Sequence, residues 1–328
     1  MISGEKILIT GASGLVGQPI ARSLAEHNEV WGIARFQQAG DRSIENYRPA
    51  TGGDPERALT ARDSLEAAGI TTRSIDLGSG EFGDLPNDFT YVLHLSWLRA
   101  DLDHLEAAMR TNVEGPGLLL QHCRSAKAAL VMSGMGIYSP SDDPFHAYTE
   151  TDAIGRGATA YAPTSPASKM GVESVARFCA RAFDLPIVIT RLNTCFSGPI
   201  SFPGMHIAAV LKGQTMTAPS DPNIHTPIHT DDMVDQLEAL LDAASTPALI
   251  TNWCGDVDVS AQDWIRVASE LSGLPGRIEV CTVPGSPAGT RADPTRRRSI
   301  TGPCKVDLDA AYRGLYTAMT APPGVVPD

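Results

Sequence analysis

The amino-acid sequence predicts an α/β fold: a doubly wound parallel sheet followed by a smaller, mainly helical portion. Three observations predict it. Short apolar, β-branched runs alternate with amphipathic helical segments through the first half of the chain. Those runs are apolar along their length, as strands buried on both faces of a sheet must be. A glycine triplet, Gly11, Gly14 and Gly17, stands between the first run and the first helical segment.

Taken in order, K-I-L-I-T, residues 6–10, is the first strand, and residues 15–27 form the helix after it. Residues 29–34 are the second strand, residues 72–76 a weaker third and residues 91–95 a fourth. A long helix is expected over 105–123, a fifth strand over 128–133, a helix starting near Pro166 and a sixth strand over 185–192. Residues 36–68 break the rhythm with a polar stretch in which 55–68 has helical composition. A connection this long reads as an insertion. From about Phe196, glycine, proline and threonine become frequent, and isolated helices start at the N-caps Thr230 and Ser260.

The 328 residues suffice for one large domain or two intimate ones, and 42% hydrophobic residues supply a full core. A net charge of -12 argues against a nucleic-acid partner, whose phosphates need a clustered cationic surface. The one basic cluster, Thr295 to Arg298, reads as a solvated loop. Six cysteines form no Cys-x-x-Cys pair, which fits a reducing cytosol better than a disulfide framework. No apolar run approaches the ~20 residues that span a bilayer, and the first strand starts too early for a signal peptide. The expectation is a soluble, cytoplasmic protein with a small-molecule substrate and neither membrane nor nucleic-acid partners. His225 and His229 are separated by a proline that forbids a helix face, and no third ligand is evident, so no metal is expected.

T-G-A-S-G-L-V-G has the strand–turn–helix context of a dinucleotide-binding loop. Glycine allows the tight turn and the close approach of backbone to a pyrophosphate, and the helix N-terminus offers unpaired N–H groups to the anion. Gly11, Ser13, Gly14, Leu15 and Gly17 are therefore candidate cofactor contacts. An acidic residue ending the second strand would bind the ribose 2′-hydroxyl of NAD; this chain has Ala34 and Arg35 there. Arginine suits a 2′-phosphate, so NADP is expected, with NAD as the alternative. Asp76 and Leu77, after the third strand, are placed to reach the adenine.

The Gly-x-x-Gly-x-x-Gly spacing resembles the extended branch of the short-chain dehydrogenase/reductase superfamily, the NAD-dependent epimerase/dehydratase family. H-L-S-W (His94 to Trp97), T-N-V-E-G (Thr111 to Gly115), V-M-S-G-M-G-I-Y (Val131 to Tyr138), R-L-N-T-C-F-S-G-P (Arg191 to Pro199) and P-I-H-T-D-D-M-V carry the likeness over most of the chain. The resemblance implies a Rossmann-type fold. It implies that Leu95, Ser96, Trp97, Asn112, Leu192 and Asn193 line the cofactor and that Lys169 holds the nicotinamide ribose. It also implies that 1–196, rejoined by 224–252, binds the dinucleotide, and that 197–223 and 253–328 bind substrate. Many members dimerise through the two long helices, here starting near Asp101 and Pro166, so the resemblance implies a homodimer.

Members usually carry a tyrosine four residues before the lysine to pass a proton, and a serine or threonine beside it. This chain keeps Lys169 but has Ser165 at the tyrosine position and Gly134 at the hydroxyl position, with Ser133 adjacent. A serine hydroxyl is a far weaker acid than a phenol of pKa about 10 and is about a ring's length too short. Tyr161 and Tyr138 are candidate replacements, and His94, His146 and His206 lie on segments that can reach the pocket. The leading expectation is an NADP(H)-dependent reductase or dehydrogenase of a small carbonyl or conjugated substrate, with Lys169, Ser165, Tyr161, Tyr138 and Ser133 at its catalytic centre. The alternatives are an epimerase, dehydratase or lyase without net redox, and a non-catalytic redox sensor.

Overall fold

The structure, a computed structural model, describes residues 2–36, 55–155, 157, 163–282 and 284–321, with the backbone alone for 55–60. Strands β1 (Lys6–Thr10), β2 (Glu29–Ala34), β3 (Thr71–Ser74), β4 (Tyr91–His94), β5 (Ala128–Gly134) and β6 (Ile187–Leu192) lie in the spatial order β3-β2-β1-β4-β5-β6. A seventh strand, Leu249–Trp253, pairs with β6 at the edge, and every pairing in this sheet is parallel. The chain leaves β1 for β2 on one side and crosses back to β4 on the other. Strand order therefore reverses between β1 and β4, where doubly wound sheets open a crevice at their carboxyl ends.

The helices, in chain order, are α1 (Gly17–Ala25), α2 (Pro55–Ala67), α3 (Leu105–Met109), α4 (Gly115–His122), α5 (Ser165–Phe183), α6 (Phe202–Leu211), α7 (Thr230–Asp242), α8 (Ala261–Ser272), α9 (Thr295–Thr301) and α10 (Leu308–Thr320). Ile20 and Leu24 of α1 and Met233 and Leu237 of α7 cover one face of the sheet. Leu119 and Leu120 of α4 and Val172 and Ala176 of α5 cover the other. Helices α6, α8 and α10 bury Ile207, Trp264, Ile265 and Tyr312 in a separate core.

Three sequence expectations shift here. The helix expected over 105–123 is interrupted by a π turn at Arg110–Glu114, because Pro116 has no N–H to continue the α ladder. The basic cluster expected in a solvated loop is helix α9, and Arg297 within it is fully buried. Helix α7 is capped by His229, whose ring nitrogen accepts the Asp231 N–H, rather than by Thr230. Ser260 does cap α8, in a reciprocal box with Asp263.

Candidate active site

The glycine turn is built from backbone. Gly11 has φ +68, and a Cβ added there would stand 2.7 Å from Ser96 Cα. A Cβ at Gly17 would stand 2.3 Å from the Gly11 carbonyl oxygen, and one at Gly14 3.0 Å from it. The turn therefore closes directly onto the loop after β4, with Gly14 exposed at its tip and Ser13 and Leu15 half-buried beside it. Such a side-chain-free cradle at a helix start fits a pyrophosphate.

Thr10, ending β1, ties that loop down. Its hydroxyl accepts the N–H groups of Leu95 and Ser96, both at 3.1 Å. With its lone pairs filled, the hydroxyl donates to His94 Nδ1 at 3.0 Å, which leaves the ring proton on Nε2. Burial, and then the Lys169 charge, push the His94 pKa down to about 3, so the ring is neutral. Its Nε2 is buried and unpartnered among the described residues. Asn112, in the π turn, grips the next residue: its side chain accepts the Leu98 N–H at 2.7 Å and donates to the Leu98 carbonyl at 2.8 Å. The amide expected to line the cofactor is engaged with the loop backbone and positions Trp97 indirectly. Asp76 accepts the Gly78 N–H and turns the chain after β3, with Leu77 buried below. At the end of β2, the Arg35 carbonyl accepts the Ser74 hydroxyl.

Lys169 lies in the first turns of α5 and is buried. Its ammonium stands 3.4 Å from the centroid of the Trp97 ring. A Cβ at Gly134 would lie 3.5 Å from Lys169 Cε and 3.8 Å from Nζ, so the lysine reaches across the end of β5. Burial, reinforced by Arg99 and opposed by Glu173, holds its pKa down to about 7. Ser165 is the first residue of α5, and the N-cap is Thr164, which makes no side-chain capping bond. Ser165 is thus a first-turn residue rather than the cap. Its Oγ lies 4.0 Å from where a Gly136 Cβ would be, facing the turn after β5. Ser133 Oγ is buried without a partner among the described residues. Tyr161 and the stretch 37–54 lie outside the described residues.

Behind Lys169 is a buried framework. Arg191 of β6 donates from two nitrogens to the two carboxylate oxygens of Glu173, each at 2.9 Å. Its guanidinium stacks on Tyr138, 4.8 Å from the ring centroid. The Tyr138 hydroxyl donates to Asn252 Oδ1 at 2.6 Å, and burial pushes its pKa up to about 12. Tyr138 therefore braces the site and is a poor proton donor. His146 pairs with Asp152 and abuts Tyr148. His206 donates from Nδ1 to the Phe202 carbonyl, inside an aromatic nest with Trp264. Asn193 donates to the Thr290 carbonyl and accepts the Thr194 N–H, tying the segment after β6, where Leu192 ends the strand, to the C-terminal portion.

The arginines of the C-terminal portion are also engaged. Arg291 meets Asp258 and the Phe145 carbonyl, and Arg296 the Ile250 carbonyl and Glu150. Arg297 and Arg298 share Asp256. The structure places the glycine turn and Lys169 at the carboxyl ends of β1 and β5; Thr10, Glu173 and the anchoring role of Arg191 carry no local sequence signal, because their partners lie elsewhere along the chain.

Residues 7–247 match the NAD dependent epimerase/dehydratase family. Among solved structures, the chain resembles UDP-glucuronic acid 4-epimerase from Bacillus cereus in complex with UDP-glucuronic acid and NAD, with a TM-score of 0.77 and 21% identity over 95% of this chain and 98% of that one. It resembles UDP-N-acetylglucosamine 4-epimerase from Methanobrevibacter ruminantium M1, with a TM-score of 0.73 and 16% identity over 97% and 99%. It also resembles DesIV, the dTDP-glucose 4,6-dehydratase from Streptomyces venezuelae with NAD bound, with a TM-score of 0.71 and 18% identity over 96% and 97%. At these identities the likeness is one of fold. No curated protein matches the sequence. These findings overturn the leading expectation of a reductase or dehydrogenase of a small carbonyl, because the matched family and the neighbours are epimerases and dehydratases. The NADP expected from Arg35 gains no support, since the neighbours hold NAD. No helix among the described residues is long and apolar enough to cross a membrane.

Proposed function

The chain belongs to the NAD dependent epimerase/dehydratase family, and from that premise we propose an epimerase- or dehydratase-type enzyme that uses a bound NAD without net redox change. The observation that carries the reading is Lys169, a buried amine at the carboxyl end of β5 with the glycine turn at the end of β1. The backbone of the Gly11–Gly17 turn would hold the pyrophosphate. Asp76 and Leu77 would meet the adenine, and Leu95, Ser96, Trp97 and Lys169 the nicotinamide half. When bound, NAD supplies reversible hydride uptake; everything else falls to the chain. Residues 1–196 with 224–252 carry the dinucleotide side, and 197–223 with 253–328 the substrate side. Exposed Leu118 (44%) and Phe178 (66%) on α4 and α5 support a homodimer through those helices.

The substrate offers a hydroxyl whose carbon is oxidised, and the hydride taken from it returns to the substrate before product leaves. Structural neighbours are solved with UDP-glucuronic acid and with UDP-glucose, so these are the first probes. Nucleotide released from the purified protein should be NAD; recovery of NADP would overturn the cofactor choice. Incubation with the probes should give an isomerised or dehydrated product by NMR with no lasting absorbance rise at 340 nm. A rise stoichiometric with product would overturn the non-redox reading.

A further inference from the structure

Among the described residues, the one carboxylate that acts on Lys169 is Glu173, and Arg191 holds it. Lys169 is 6% exposed, rests on the Trp97 face and makes no hydrogen bond within the described residues. Among the described residues, charged and titratable groups approach it from several elements. On α5 itself, Glu173 stands one turn further on, but both its oxygens are held by Arg191 of β6. From β4 comes His94, which is neutral, and from the loop after it Arg99, whose positive charge opposes that of the lysine. From β5, Gly134 offers backbone alone, and Ser133, in register with Arg191, offers an unpartnered hydroxyl. Tyr138, stacked on the far side of Arg191, keeps its proton. An enclosure furnished this way bears one uncompensated positive charge at a cost; a second adds strongly to it.

We propose that Lys169 itself exchanges a proton with the substrate hydroxyl, and that the redox state of the bound dinucleotide sets its protonation. The amine is neutral while the nicotinamide is oxidised and cationic, and becomes ammonium once the nicotinamide is reduced and uncharged. This inference rests on the reading of the chain as a nicotinamide-using epimerase or dehydratase. In the first half-reaction the O–H proton passes to the lone pair of Lys169 Nζ. Bound NAD would supply the acceptor for the hydride of the adjacent C–H bond, and the bonding pair freed from the O–H would complete the C=O bond. In an epimerase the return half-reaction would give hydride and proton back to the same carbon and oxygen, and nothing is consumed; in a dehydratase the hydride would return to the carbon that loses its hydroxyl as water. The end of β5 favours this assignment: Gly134 puts no side chain against the lysine amine, and Ser165, in the phenol position, is too weak an acid to serve as the proton donor itself. A lysine held near neutrality by burial gains and loses a proton cheaply at physiological pH.

The test needs no substrate. The full-length protein, freed of nucleotide, is titrated calorimetrically with NAD+ and with NADH at pH 6.5–7, in buffers of different ionisation enthalpy. NAD+ should release about half a proton or more, and NADH should not. Lys169→Met should abolish that difference. Lys169→Arg, which stays charged, should weaken NAD+ about tenfold more than NADH. Equal proton counts in the wild type would overturn the inference while leaving the cofactor reading intact. So would a difference that survives Lys169→Met and disappears in Tyr161→Phe. No saturable binding of either nucleotide would overturn the cofactor reading and this inference with it.

Discussion

The two ends of the crevice are built on opposite plans. At β1 the site is backbone: three glycines packed so closely that added side chains would collide with Gly11's own carbonyl or with the loop after β4. At β5 the site is side chains drawn from separate elements: Lys169 from α5, Trp97 from the loop after β4, and Glu173 pinned by Arg191 of β6. A backbone site has no single group to exchange, whereas a side-chain site can lose one member and keep its fold. The missing phenol at Ser165 is a change of the second kind, and the rest of its surroundings fold around Lys169 regardless.

The sharpest break of that comparison is Gly17→Ala. Its methyl would meet a backbone oxygen at 2.3 Å, with no flexible side chain to move aside. A loss of ~3 kcal/mol or more in denaturant unfolding is expected, together with loss of NAD binding by calorimetry. Ser165→Ala, at the other end, should leave both within ~0.5 kcal/mol. Comparable losses from the two substitutions would erase the distinction.

Second in size is Glu173→Gln. It leaves the Arg191 guanidinium buried beside a neutral amide, and removing one partner of a buried pair costs ~3 kcal/mol. The same change takes from Lys169 the one carboxylate that favours its charged form, so the proton release on NAD+ binding should shrink. A midpoint unchanged in urea would show that α5 is held to the sheet by packing alone.

Acid sensitivity distributes over both portions of the chain. Burial pushes His94 and His225 down to about 3 and His206 to about 4. Each stays neutral when folded but gains a proton once unfolded below about 6.5, so the unfolded state binds more protons and stability falls as pH drops from 6.5 toward 4. At pH 5 the loss is ~2 kcal/mol per histidine. Urea midpoints at pH 7 and pH 5 measure it, and His94→Gln should remove roughly one third of the slope. A flat response would mean that these rings are charged or exposed.

How much of this was legible in the sequence follows the same division. The bounds of β1 and β2 coincide with the apolar runs, and the glycine turn and Lys169 lie in local motifs whose meaning needs no distant partner. The edge strand Leu249–Trp253 was not legible, because Thr251 and Asn252 look like loop residues until Glu150 and Tyr148 supply their hydrogen bonds. Arg297 reads as a solvated charge until Asp256 and the Gly302 carbonyl meet it inside the fold. Trp97 under Lys169 and Arg191 on Glu173 are likewise long-range pairings. Spacing along the chain does not reveal them.

The smallest effect separates bracing from catalysis at Tyr138. Its hydroxyl donates to Asn252 Oδ1, while Asn252 Nδ2 keeps its own acceptor on the Tyr148 carbonyl. Tyr138→Phe therefore retains the stacking on Tyr148 and Arg191 and loses one buried hydrogen bond, ~1 kcal/mol. Nucleotide affinity and the proton count on NAD+ binding should be unchanged, because the phenol is engaged with Asn252 of the edge strand. A collapse of turnover on UDP-glucuronic acid or UDP-glucose without that modest stability change would return the proton to Tyr138. The side-chain end of the crevice would then have replaced its phenol with another phenol rather than with an amine.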